Sequence, residues 1–268
     1  MSEFACHHCA ILSDDTFAVF AKYSEDAEAA AQFECELASL QYLSARADVM
    51  IPTPIGIVPV ERGTLFIMEA LQAVERAPRH WRDIGKTLAR IHRITSDQCG
   101  FHTNGFLGPL RQDNTPARDW ATFFGERRLR PWLQYAIDSG NLPSSVADQV
   151  EKLAQRLPEL CGPAFTPSLL HGDAQQNNFI STAQGTFVID PAIYFGNPEV
   201  DLSLMDAWQP AHDNFLDGYR EEMPLDPGFS ERRSLWRVPL YLAAVAIEGP
   251  AHLGRLISAL QHLSQMSF

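Results

Sequence analysis

The sequence predicts an α+β fold of two unequal lobes: a small antiparallel sheet carrying one helix, then a larger, mainly helical unit. Three observations point there. Short apolar and aromatic runs broken by turn formers fill residues 9–23 and 50–71, one helical period lies between them, and after residue 73 most apolar patterns repeat every three to four residues. The expected division is 1–72 and 73–268.

The elements follow in chain order. CAILSDDTFAVFAKY at 9–23 reads as a hairpin, because apolar residues flank the turn formers Ser13, Asp14 and Asp15. Over 24–47 the pattern turns helical: Asp26 and Glu28 stand in an acidic first turn, and Phe33, Leu37, Leu40 and Leu43 recur on one face. MIPTPIGIVPVERGTLFIMEAL at 50–71 holds two more strands, with Pro52 and Pro54 keeping the entry extended and Glu61-Arg62-Gly63 turning the chain. Trp81, Ile84, Leu88 and Ile91 share one face of the helix that opens the second lobe. Residues 99–118 are rich in Gly and Pro and read as a long ordered loop. Helices are expected at 119–139 and 144–157, then an apolar approach, TPSLL, then a hairpin in NNFISTAQGTFVID and helices to the end.

Composition excludes several classes. The chain has 268 residues, 46% of them hydrophobic, enough for a sizeable core. A formal charge of −12 argues against a nucleic-acid partner, since phosphate-backbone affinity comes from clustered Lys and Arg. An anionic nucleotide would need a local basic or metal site. The apolar run VPLYLAAVAI at 238–247 is about half the roughly 20 residues that cross a bilayer, so it reads as a buried helix and no membrane partner is expected. The start MSEFACHHCAILSDD lacks the basic-then-apolar order of a secretory signal, and the five scattered cysteines do not suggest a disulfide framework. Both features fit the cytoplasm. No pattern in the chain fixes an oligomeric state.

The chemistry concentrates in His171-Gly172-Asp173, Asn178, and the apolar strand Phe187-Val188-Ile189 that ends in Asp190. A hairpin between 178 and 190 brings Asn178 and Asp190 to one end, with Asp173 in the loop before it. Phosphoryl transfer needs such a group, because magnesium takes hard oxygen ligands and the attacking hydroxyl needs a carboxylate to orient it and accept its proton. In the first lobe, Lys22 lies on an apolar strand and Glu36 along the helix's apolar stripe. Buried charges need partners, so a Lys22–Glu36 ion pair is expected, leaving the ammonium to face phosphates.

The order Lys22, Glu36, the strand LFIM with Glu69-Ala70-Leu71, LARIH at 88–92, His-Gly-Asp with Asn178, and Asp190 resembles the aminoglycoside phosphotransferase and choline kinase branch of protein-kinase-like folds. Within that branch, GFHTNGFLGP at 100–109, DWATFFGERRL at 119–129 and DPAIYFGNPEVDLSL at 190–204 resemble the fructosamine kinase family. The resemblance implies ATP and Mg2+ as cofactors, Asp173 as catalytic base, and Asn178 and Asp190 as magnesium ligands. It makes Lys22 the phosphate-binding lysine with Glu36 as its partner, and the strand end at Met68, Glu69 and Leu71 the hinge that receives adenine. His102, Asp119, Trp120 and Phe124 would stand on the sugar side, with Glu199 and Asp201 fixing structure behind the site. The implied substrate is a ketoamine, a sugar-amine or glycated amine phosphorylated on a sugar hydroxyl.

Two departures keep other readings open. Counting back from Lys22, a Gly-rich phosphate-covering loop falls at 2–9, yet SEFACHHC has no glycine, and the small lobe reads as truncated. A non-catalytic kinase-like module is the rival this supports. The C-terminal stretch YLAAVAIEG also differs from the family's, which leaves an aminoglycoside, choline or other amino or hydroxyl metabolite as alternative acceptor. Cys6 and Cys9 flank two histidines, but four adjacent residues wrap one tetrahedral ion poorly.

Overall fold

The expected hairpin forms as β1 (His8–Ser13) and β2 (Ala18–Ser24), with Asp14 accepting hydrogen bonds from the Thr16 and Phe17 amides at its turn. These are features of a computed structural model that describes residues 7–14 and 16–266. The sheet is antiparallel in the order β1-β2-β4-β3, completed by β3 (Pro54–Val60) and β4 (Gly63–Glu69) around helix α1 (Ala29–Ala47). The helix starts later than its pattern suggests. Asp26 and Glu28 stand before it in a turn, where Ser24 Oγ accepts the Asp26 N–H and Asp26 Oδ1 accepts the Glu28 N–H. Short polar side chains compete with helical bonding in this way.

Phe33 and Leu40 of α1 pack with Phe66 and Met68 of β4 in a small core. Leu43 and Ala47, one to two turns further on, join the large core of the second lobe, so α1 ties the lobes together.

The second lobe opens with α2 (Pro78–His92). The loop expected at 99–118 proves to contain a hairpin, β5 (Gly105–Leu107) and β6 (Leu110–Gln112), which the left-handed Gly108 allows to turn. Three-residue strands are too short to show a period of two, which is why the sequence reads as loop. Next come α3 (Trp120–Phe124), a π-helical turn at Gly125–Leu129, α4 (Arg130–Asp138), α5 (Ser144–Gln155) and α6 (Leu157–Leu160). Strand β7 (Ser168–Leu170) leads into the His-Gly-Asp loop, followed by the hairpin β8 (Phe179–Ser181) and β9 (Thr186–Val188), and by β10 (Tyr194–Gly196) paired back on β7. Helices α7 (Glu199–Leu204), α8 (Asn214–Glu222), α9 (Phe229–Glu248) and α10 (Leu253–Gln265) close the chain. The apolar run at 238–247 lies in α9, with residues 238–245 buried. Among the described residues no helix is long and apolar enough to cross a membrane.

Candidate active site

Asp173 owes its position to the loop around it. Gly172 is left-handed at φ 82°, and a Cβ there would lie 1.9 Å from the Ala192 carbonyl oxygen, so only glycine lets the loop press against the strand entering β10. From behind, Asp201 accepts the His171 N–H at 2.6 Å and the Gly172 N–H at 3.0 Å. Buried His92, the last residue of the LARIH motif, contacts the same carboxylate at 3.1 Å and the Tyr219 hydroxyl at 2.9 Å. Glu199 takes two bonds from Arg232 and one from the Trp236 indole. Glu199 and Asp201 thus hold structure, as expected.

His171 links the two halves of the motif. Its Nε2–H donates to the Ile189 carbonyl at 3.0 Å, while Nδ1 accepts the Asp173 N–H at 3.2 Å. Burial holds its pKa below the ordinary value, consistent with a neutral ring. The ring therefore spans from the Asp173 backbone to the residue before Asp190. At the hairpin base, the Ile189 N–H donates to the Asn178 carbonyl at 3.0 Å, so Asn178 and Asp190 meet at one end.

The carboxyl of Asp173 accepts from Gln175 Nε2 at 2.6 Å and from Asn178 Nδ2 at 2.9 Å. Burial raises its pKa to about 6, the nearby Asp190 adds to the rise, and the two amide donors oppose it. That value suits a group that must be ionised near neutral pH yet still attract a proton.

Lys22, 4% exposed, reaches Glu36 at 2.6 Å and also contacts Asp190 across the lobes. Burial alone would lower the lysine's pKa, but the two carboxylates outweigh it and hold the ammonium charged. Of the pair, Glu36 is pushed up by burial despite Lys22, while Lys22 offsets the burial of Asp190 and leaves it below the usual range. Asp190 itself sits at φ 55°, a left-handed backbone that is rare outside glycine and clusters at functional sites.

The oxygen chemistry fits magnesium. The carboxylates of Glu36 and Asp190 share the Lys22 ammonium, Asp173 is bound by the amides of Gln175 and Asn178, and Asn178 keeps an amide oxygen that receives no hydrogen bond among the described residues. Magnesium favours such sites, with one or two protein oxygens completed by phosphates and water. No cluster of three or more His, Cys, Asp or Glu able to hold a metal occurs among the described residues.

The other expected residues divide. Met68 is buried in the small core, and the Glu69 N–H donates to Thr53 O at 2.9 Å while its carboxylate accepts from the Thr53 amide and hydroxyl. Its amide is therefore occupied, and what remains at this strand end is the Glu69 carbonyl with the Ala70 and Leu71 backbone. Of the residues expected on the sugar side, His102 is exposed beside Phe101. Asp119 caps α3, accepting the Ala121 and Thr122 amides and the Thr122 hydroxyl. Trp120 is enclosed by Phe123, Phe124, Phe165 and Trp236. A cavity of about 30 Å³ beside Asp173 is lined by Gln112, Phe124, Arg128 and Tyr194 among others, but not by His102, Asp119 or Trp120. For Trp120 helical spacing explains this, since it packs on Phe123 and Phe124, of which Phe124 alone also reaches the cavity. Cys6 lies outside the described residues, as does most of the stretch expected to cover phosphates; Cys9 is on the exposed strand β1, opposite Lys22.

A sequence model described as fructosamine kinase matches residues 4–266. The chain belongs to the fructosamine kinase family. Its relatives include the "Probable ketoamine kinase" of Enterococcus faecium, 30% identical over 82% of this chain and 78% of that one, and the mouse "Ketosamine-3-kinase", 26% identical over 92% and 88%. Among solved structures, a Thermobifida fusca protein described as a candidate fructosamine-3-kinase is similar at TM-score 0.83 and 27% identity, covering 97% of this chain and 94% of its own. A choline kinase of Streptococcus pneumoniae, at TM-score 0.64 and 15% identity over 96% and 90%, shares the fold. As a member of the fructosamine kinase family, the chain has the protein-kinase-like architecture of a phosphotransferase.

Two residues around Asp173 escaped the sequence motifs. Gln175 contacts Asp173 directly, and Arg76 donates to the carbonyls of Gln176 and Phe179, bracing the segment that carries Asn178. The partners of Arg76 lie about 100 residues away, and although Asp173 is only two residues from Gln175, nothing in the sequence marks that amide as its donor.

Proposed function

We propose that this chain is an ATP- and magnesium-dependent kinase that phosphorylates a sugar hydroxyl of a ketoamine, a sugar-amine or glycated amine. The observation that carries the reading is the convergence of Asp173, Asn178, Asp190 and Lys22 in a member of the fructosamine kinase family. In this reading Asp173 orients the acceptor hydroxyl and accepts its proton as the oxygen bonds to the γ-phosphorus of ATP and the bond to the ADP oxygen breaks. Lys22 holds phosphate oxygens, and Glu36 keeps that ammonium in place. Asn178 and Asp190 would hold magnesium, which when bound neutralises charge on the transferring phosphoryl group. Adenine would lie against the backbone of residues 69–71. Family membership favours a ketoamine over an aminoglycoside or choline acceptor, and the intact polar set favours an enzyme over a non-catalytic module.

The test is magnesium-dependent ATP consumption with and without fructosyl-lysine, beside Asp173→Ala. Stimulation by the ketoamine, abolished in the variant, is the expected outcome. ATP binding without stimulation would overturn the acceptor assignment, and turnover that survives the substitution would overturn the base.

A further inference from the structure

Gln175 completes the hold on Asp173 that Asn178 begins. Its Nε2 donates to Asp173 Oδ1 at 2.6 Å, and its Oε1 accepts from the Trp208 indole at 2.6 Å. An indole N–H only donates and an ionised carboxylate only accepts, so with both contacts in place the amide has one permitted orientation. Trp208 is itself fixed by the two last helices. Arg255 of α10 lies over its ring at 5.4 Å and donates to the Trp208 and Ala207 carbonyls at 3.0 and 3.1 Å. Tyr241 of α9 donates to the Ala207 carbonyl at 3.1 Å and meets the indole edge-on at 5.5 Å. A continuous polar chain therefore runs from Arg255 through Trp208 and Gln175 to the carboxylate.

We propose that Gln175 is a positioning residue for Asp173, locked in one amide orientation by Trp208, whose place Arg255 fixes from the C-terminal helix. The inference rests on Asp173 being the base of the reaction proposed above. A carboxylate gripped on both oxygens cannot swing about its χ angles. In-line transfer rewards that restraint, because a misplacement of about 1 Å can lower a rate on the order of 10²-fold.

The experiment compares wild type with Gln175→Leu, Trp208→Phe and the double variant, reading kcat and both KM values together with the ¹H–¹⁵N indole resonance of Trp208. In Gln175→Leu, kcat is expected to fall about 10-fold to 10²-fold with both KM values unchanged. Trp208→Phe keeps a ring under Arg255 and should lower kcat less, and the double variant should be no worse than Gln175→Leu, because Trp208 acts through Gln175. The Trp208 indole resonance should move in Gln175→Leu and stay in place in Asp173→Ala. An unchanged kcat, an additive double variant, or an indole resonance indifferent to Gln175 would each overturn the proposal. The indole signal needs no turnover. Should wild type fail to use a ketoamine, the acceptor reading falls alone, and the same kcat split is read on the protein's own ATP hydrolysis.

Discussion

Residues 171–190 and residues 102–124 are both rich in polar and aromatic side chains, yet they end in opposite uses. In the first, Lys22 and Asp190 meet across 168 residues and Asp201 grips the His171 and Gly172 amides from helix α7, while the Asp173 carboxylate is held by its near neighbours Gln175 and Asn178. In the second, Gln112 and Asn114 reach the Ala192 and Ile193 carbonyls, but the partners of Asp119 are local. Asp119 is saturated by the first turn of its own helix, and Trp120 packs on Phe123 and Phe124. What separates Asp173 from Asp119 is what the bonds leave over: beside Asp173 the Asn178 amide oxygen receives no hydrogen bond among the described residues, whereas Asp119 is satisfied within the first turn of its own helix.

The sharpest way to break this comparison is to remove one carboxylate from the first region. Asp173→Ala should lower turnover by about 10²–10⁴-fold, the range for a general base, while ATP binding measured by calorimetry stays near wild type. Trp120→Phe in the second region should lower the melting temperature and leave kcat nearly unchanged. Equal losses of kcat in both variants would erase the distinction.

Lys22→Met tests the link between lobes. It leaves Glu36 and Asp190 without their shared ammonium; breaking the buried Lys22–Glu36 pair from one side costs about 3–5 kcal/mol, while Asp190, with its side chain 40% exposed, is screened by solvent and adds little. Denaturant unfolding should register a loss of that order, and ATP affinity should fall with it. A fully stable variant would mean that the carboxylates neutralise without structural consequence.

Acidity gives a smaller, graded effect. A base must be ionised to work, and burial places Asp173 at about 6, above the usual carboxylate range. The ketoamine-dependent rate should therefore fall as pH drops through about 6, roughly tenfold per unit below it, well before an ordinary aspartate would protonate. A rate flat down to pH 5 would remove Asp173 from the proton-accepting role.

Much of this could be read from the chain. The Lys22–Glu36 pair was legible because a charge on an apolar stripe demands a partner, and the end of the 178–190 hairpin because its turn and strands are adjacent in sequence. The β5–β6 hairpin was not, its strands being too short for a period to show. Nor were Gln175 and Trp208, since 33 residues separate them and a glutamine in a loop has no sequence mark of a donor aimed at a carboxylate. For Trp120 the resemblance implied a place on the sugar side, while its spacing from Phe123 and Phe124 described the core face on which it packs.

The smallest predicted effect belongs to Asp119. Its carboxyl accepts the Thr122 hydroxyl and the Thr122 and Ala121 amides, and these bonds hold its pKa below the ordinary value. Loss of such a cap in Asp119→Ala should lower stability by about 0.5–2 kcal/mol, with kcat and both KM values unchanged. The sign with pH follows from the depressed pKa. The cap's contribution is present above the unfolded-state value and is lost as pH falls through the folded one, so the gap in unfolding free energy between wild type and variant should narrow in acid. A ketoamine KM that rises sharply in Asp119→Ala, with stability intact, would instead return this residue to the sugar side and show that local saturation does not exclude a part in binding.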